Sequence, residues 1–90
     1  MDEVDTGVGE IKVLYSNVQS LGNKMEELRA IVAVKRPDVV ALMETWTSDK
    51  TAGELLLIDG YEIIARSDRS DTEGGRGGGV LVYCRKEVNG

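Results

Sequence analysis

The sequence predicts an α/β domain, a mixed sheet of about four strands in the order β-α-β-β-β with one main helix. Three observations predict it. Residues 11–16, IKVLYS, and 38–43, DVVALM, are apolar runs of strand length. The segment between them carries apolar residues at helical spacing. Beyond them, YEIIAR and GVLVYCR flank a long polar turn, as the arms of a wide antiparallel hairpin do.

Each element has its own signal. Residues 1–10, MDEVDTGVGE, are acidic and offer little to bury, so they read as a disordered tail ahead of a domain over 11–90. In the first strand Ile11, Val13 and Tyr15 share one face, and Lys12, Leu14 and Ser16 the other. The helix is expected from an N-cap at Asn23, with Glu26 as reciprocal partner, to about Lys35. Leu21, Met25, Leu28 and Val32 form its apolar stripe, and Pro37 stops it. In the second strand both faces are apolar: Val39, Ala41 and Met43 on one, Val40 and Leu42 on the other. That is the pattern of a strand covered on both sides, and one helix covers only one. Residues 47–60 connect to the third strand, with Leu55, Leu56 and Leu57 in a short helix ended by Gly60.

A strand–helix–strand crossover of this length makes its two strands parallel. Their carboxyl ends then lie on one edge of the sheet, the edge where open α/β sheets bind ligands. The residues at those two exits are Asn17 and Glu44. A strand-end carboxylate suits a hard divalent cation that keeps most of its waters. A neutral amide can hold a phosphate oxygen or a water without adding charge. Each also reads as an ordinary polar strand end, and spacing alone leaves both readings open.

Composition narrows the function classes. The net charge is −5, and Asp2, Glu3, Asp5 and Glu10 account for four of those charges. The nearly neutral remainder has no basic footprint for nucleic acid. Histidine is absent, which removes the usual general base and the commonest transition-metal ligand. The single cysteine, Cys84, precludes an intrachain disulfide and reads as a core thiol; it is compatible with an intracellular compartment, which the sequence does not specify further. No apolar run reaches the roughly 20 residues a membrane span needs, so no membrane partner is expected. GGRGGG at 74–79 is not a P-loop, because no Lys-Ser/Thr pair or helix follows. It reads as a turn in which Gly78 and Gly79 allow close backbone approach. Arg66, Asp68 and Arg69 read either as a surface ion-pair cluster or as groups reaching toward a phosphate. Trp46 reads as a partly buried anchor below the second strand's exit.

The segments YSNVQSLGNKMEELR, PDVVALMETW, GYEIIARSDR and GGGVLVYCR, in that order, resemble the N-terminal part of the endonuclease/exonuclease/phosphatase superfamily, the DNase-I-like α/β sandwich. Within it the sequence looks most like the apurinic-type endonuclease domain of non-LTR (LINE-like) retrotransposons. The resemblance runs from Ile11 to about Arg85. It implies that Asn17 helps arrange phosphate and nucleophile; on the phosphate reading of the 66–69 cluster, Arg69 would be a further substrate contact. It implies that Glu44, in the E-T motif, holds Mg²⁺ or Mn²⁺ and that the parent domain hydrolyses DNA phosphodiesters. Gln19 stands where many repair relatives carry an acid.

The family's later catalytic groups, an Asp-x-Asn pair, further aspartates and a histidine–aspartate pair, have no counterpart in these 90 residues. The chain is therefore expected to be an N-terminal fragment that holds the metal weakly and does not cut alone. Its uncovered sheet face is expected to lie open, to self-associate, or to serve a non-catalytic interaction module derived from the fold.

Overall fold

The computed structural model describes residues 3–47, 51–68 and 78–86. Its elements are β1 (Glu3–Val8), β2 (Ile11–Asn17), α1 (Met25–Lys35), β3 (Val39–Met43), β4 (Tyr61–Ser67) and β5 (Val80–Arg85), with single 3₁₀ turns at Leu21–Asn23 and Gly53–Leu56. The strands form one mixed sheet in the order β1-β2-β3-β5-β4. β2 and β3 are parallel neighbours, with Val13 opposite Val39 and Asn17 opposite Met43. β4 and β5 are the expected antiparallel hairpin, and β5 also pairs antiparallel with β3.

The segment expected to be a tail differs from that reading. Residues Glu3–Val8 form a fifth, edge strand antiparallel to β2, with Val8 opposite Ile11. Only Gly9 and Glu10 lie between those partners, and Gly9 has φ 63°, where glycine is at home and other residues are not. The signal was therefore present in a two-residue glycine turn between potential strands. Charge and low hydrophobicity masked it.

The helix forms where the apolar stripe places it, and Met25, Leu28 and Val32 are its buried residues. Its start differs from expectation. Lys24, not Asn23, is the cap, and its side chain makes no capping hydrogen bond. Leu21–Asn23 are instead drawn into a 3₁₀ turn, and the Lys24 ammonium turns back to the carbonyls of Val18 and Gln19. The helix ends at Arg36 in a left-handed conformation, its N–H bonded to the Val32 carbonyl, just before Pro37.

α1 covers one sheet face. Leu14, Val40, Leu42, Leu81 and Tyr83 are fully buried there beside Leu28, Val32 and Leu56. Tyr83 donates its hydroxyl to the Leu56 carbonyl at 2.6 Å, and burial pushes its ionisation well above the ordinary tyrosine range. Of the three leucines in the connection, Leu56 alone turns inward, while Leu55 and Leu57 are exposed. The opposite face carries Val13, Tyr15, Val39, Ala41, Met43, Val80 and Val82 by strand alternation, and none of these is fully buried. Among the described residues, Ile11 is 46% and Tyr15 43% exposed. Cys84 lies in register on that face and is nearly covered. No helix among the described residues is long and apolar enough to cross a membrane.

Asp38 locks the sheet at the edge remote from Asn17. Its carboxylate accepts the Lys12 backbone N–H at 2.8 Å and an Arg85 guanidinium N–H at 2.6 Å. Asp38 is 9% exposed, so one buried acid ties together the starts of β2 and β3 and the end of β5.

Candidate functional site

Four sequence segments meet at the other sheet edge. The register places Asn17 opposite Met43, Met43 opposite Val80, and Val80 opposite Ser67. The exits of β2, β3 and β4 and the start of β5 therefore form one rim. It gathers Asn17, Glu44, Asp68 and the Gly78–Gly79 pair. The parallel pairing of β2 and β3 makes Asn17 and Glu44 rim neighbours, as the crossover predicted.

The loops after β2 and β3 are stitched to each other by backbone bonds. The Val18 N–H reaches the Met43 carbonyl, that of Ser20 the Glu44 carbonyl at 3.0 Å, and that of Leu21 the Thr45 carbonyl at 2.8 Å. On the other side, the Trp46 N–H reaches the Gly78 carbonyl at 3.0 Å. The strand pairing thus continues past Met43 with distorted geometry. Among the described residues, five non-glycine residues have positive φ, and four are here: Gln19, Ser20, Glu44 and Trp46. Left-handed backbone costs an L-residue about 1–2 kcal/mol. Such residues persist where surrounding contacts over-determine them, and they cluster at functional sites.

Glu44 is half-buried. Its Oε2 accepts the Gly78 N–H at 3.1 Å, and its Oε1 lies 3.5 Å from the Trp46 indole nitrogen. Asn17 is exposed at the end of its strand. Arg69 lies outside the described residues. Among the described residues, no three His, Cys, Asp or Glu side chains converge. The donor set is one carboxylate with an amide on the adjacent strand. That chemistry fits a hard cation retaining most of its water, with Glu44 as the charged ligand.

Two further features complete the rim, the first not legible beforehand and the second foreseen. The first is a buried hydroxyl relay. Thr45 and Thr47 are 1% and 3% exposed, and their hydroxyls lie 3.1 Å apart. The Thr47 hydroxyl donates to Asp68 at 2.9 Å, and Arg66 donates to the same oxygen at 2.8 Å. Arg66 also bonds the Thr51 carbonyl at 2.9 Å. The Arg66 hydrogen bond holds the Asp68 carboxyl below the usual range against partial burial, and the Thr47 bond adds to it. Arg66 and Asp68 thus form an ion pair that links the end of β4 to Thr47 and Thr51. The second is Gly79. At φ 96°, its backbone sits so close that a Cβ would lie 2.4 Å from Thr45 Oγ1 and 3.3 Å from the Trp46 nitrogen. The close approach expected of Gly78 and Gly79 is what brings β5 against the Glu44 loop.

Trp46 is partly buried, as expected: it keeps 37% of its surface exposed between two buried threonines, and its indole nitrogen lies 3.5 Å from Glu44 Oε1.

The described residues thus set an amide and a carboxylate at the ends of adjacent parallel strands, on one edge of an α/β sheet with left-handed loops. The Endonuclease/Exonuclease/phosphatase family profile matches residues 14–89, and the chain belongs to that family. Among solved structures it is similar to a 3′ phosphatase from Neisseria bound to a product DNA hairpin, at 24% identity and TM-score 0.67, covering 83% of this chain and 27% of that one. It is also similar to an AP endonuclease from Leishmania major, at 25% identity and TM-score 0.67, covering 84% of this chain and 24% of that one. An AP endonuclease from Archaeoglobus fulgidus shares 19% identity with TM-score 0.62, covering 82% and 27%. No curated protein sequence matches at a comparable level. The chain thus spans about a quarter of each of these structures.

Proposed function

We propose that this chain supplies one rim of a Mg²⁺- or Mn²⁺-dependent phosphodiesterase site of the non-LTR retrotransposon endonuclease type, with DNA as the substrate of the complete domain. The observation that carries the reading is the convergence of Asn17 and Glu44 from adjacent parallel strands onto a left-handed, cross-braced edge. Glu44 would hold the cation, which when bound polarises the phosphate and offsets developing negative charge. Asn17 orients a phosphate oxygen through its amide without adding repulsion. The Gly78 N–H fixes one Glu44 oxygen and leaves the other toward solvent and Trp46.

The chain alone does not cut DNA in this reading. It has no histidine, and of the two rim carboxylates among the described residues Asp68 is engaged by Thr47 and Arg66, whereas a general base and further ligands would be needed. Plasmid nicking in Mg²⁺ tests this part, and nicking abolished by Glu44→Ala would overturn it. The metal role has a direct readout in Trp46, the only tryptophan of the chain. Mn²⁺ quenches its emission in the wild type and not in Glu44→Ala. Equal quenching in both would sink the assignment.

One observation favours a second reading, a non-catalytic interaction module. The sheet face opposite α1 is apolar, with Tyr15 43% exposed and five valine or methionine positions half-buried. A monodisperse dimer in sedimentation supports the module. A monomer without a partner favours the rim of a larger nuclease domain.

A further inference from the structure

We propose that Trp46 is a nucleobase-stacking element, holding one unpaired base flat against its indole beside the rim that handles the phosphate. The inference rests on the nuclease reading of that rim and adds a contact to it. Trp46 is placed with unusual expense for an exposed side chain. Its φ is 57°, and a bulky residue is a genuine outlier there. On either side, Thr45 and Thr47 are buried, and their hydroxyls are committed to one another and to Asp68. The Trp46 N–H is held by Gly78, and Gly79 packs against its nitrogen so closely that no side chain fits. Every neighbour is fixed, and the indole, whose nitrogen lies 3.5 Å from Glu44, keeps 37% of its surface open.

The chemistry of the surroundings selects the occupant. The indole edge lies 3.5 Å from the Glu44 carboxylate, so a bare phosphate is disfavoured on the ring. A flat, uncharged heterocycle attached to a phosphate is not. Stacking on an aromatic side chain tolerates any base, because every base has a π-face. The rigid 44–47 segment pre-organises that platform, which lowers the ordering cost of binding. The base would be single-stranded or displaced from a duplex, since a paired base shows only its edge.

The test uses the full chain in EDTA, so that no step depends on the metal. A fluorescein-labelled deoxyadenosine decamer is titrated by anisotropy at moderate salt, and Trp46 emission is followed in parallel with the unlabelled decamer. The expected results are saturable quenching of Trp46 and about tenfold weaker decamer binding for Trp46→Ala. Trp46→Phe should retain most of the affinity, and both variants should keep the wild-type circular dichroism spectrum. Unchanged affinity in Trp46→Ala, or emission unaltered by the decamer, would overturn the proposal. Emission that follows protein concentration but not decamer would mark Trp46 as a self-contact and overturn it too. The Mn²⁺ experiment on Glu44 is independent, so either reading can fail alone.

Discussion

The Glu44 carboxylate accepts the backbone N–H of Gly78 at 3.1 Å across 34 positions of sequence. The bond closes the distorted end of the β3–β5 pairing and orients the rim acid. Glu44→Gln keeps an acceptor oxygen and should unfold in urea within about 0.5 kcal/mol of wild type, while Glu44→Ala should lose about 1 kcal/mol. Because Glu44 has φ 56°, Glu44→Gly recovers backbone strain and should be less damaging than Glu44→Ala. The reverse order would show that the backbone there is relaxed.

Gly79→Ala should be far costlier than Gly9→Ala. Both positions have positive φ, but an added Cβ at Gly9 meets open space, whereas at Gly79 it meets the pinned Thr45 hydroxyl at 2.4 Å. The expected losses are about 1 kcal/mol at Gly9 and about 3 kcal/mol at Gly79, read from urea midpoints.

Asp38→Ala should strongly destabilise the fold. It removes the carboxylate facing the Arg85 guanidinium, which keeps its bond to the Arg36 carbonyl at 3.2 Å, and leaves the Lys12 N–H without its acceptor. Breaking a buried ion pair costs about 3–5 kcal/mol, a large share of the roughly 5–15 kcal/mol that stabilises a small domain. Arg85→Met, which removes the cation but keeps the stem's volume, should fold better than Asp38→Ala. Thermal unfolding followed by circular dichroism compares the two.

The Thr47–Asp68–Arg66 brace should weaken in acid. The Arg66 hydrogen bond outweighs the opposing effect of burial and lowers the folded-state Asp68 ionisation below its ordinary 3.8. A depressed carboxyl contributes stability above that value and loses it as pH falls through the folded one. The melting-temperature gap between wild type and Asp68→Asn should therefore be present at neutral pH and close below about pH 3.8. A gap that widens on acidification would contradict the assignment.

If the open sheet face associates, the association should be apolar and located at its centre. Val82 pairs with Ala41, which pairs with Tyr15, in one row across that face. Val82→Lys should shift sedimentation toward monomer without lowering the melting temperature appreciably, since Val82 is not in the buried core.

Sequence alone determined the elements whose signals are local. The helix stripe of Leu21, Met25, Leu28 and Val32, the two-sided apolar run of β3, and the stop at Pro37 fix helix and strands wherever the rest of the chain lies. The crossover length also made β2 and β3 parallel, so the shared edge of Asn17 and Glu44 was legible. What only the tertiary structure decided depends on long-range register. The insertion of β5 between β3 and β4 brings Gly78 and Gly79 to Glu44. It also puts Asp68 under Thr47, and no local pattern encodes a contact between residues 21 apart. The setting of Trp46 belongs there too, because its left-handed backbone is held by the Gly78 carbonyl from 32 positions away. β1 falls between these cases. Its turn was written in Gly9 and Glu10, but an acidic strand is held by the ladder it makes with β2 rather than by its own propensity.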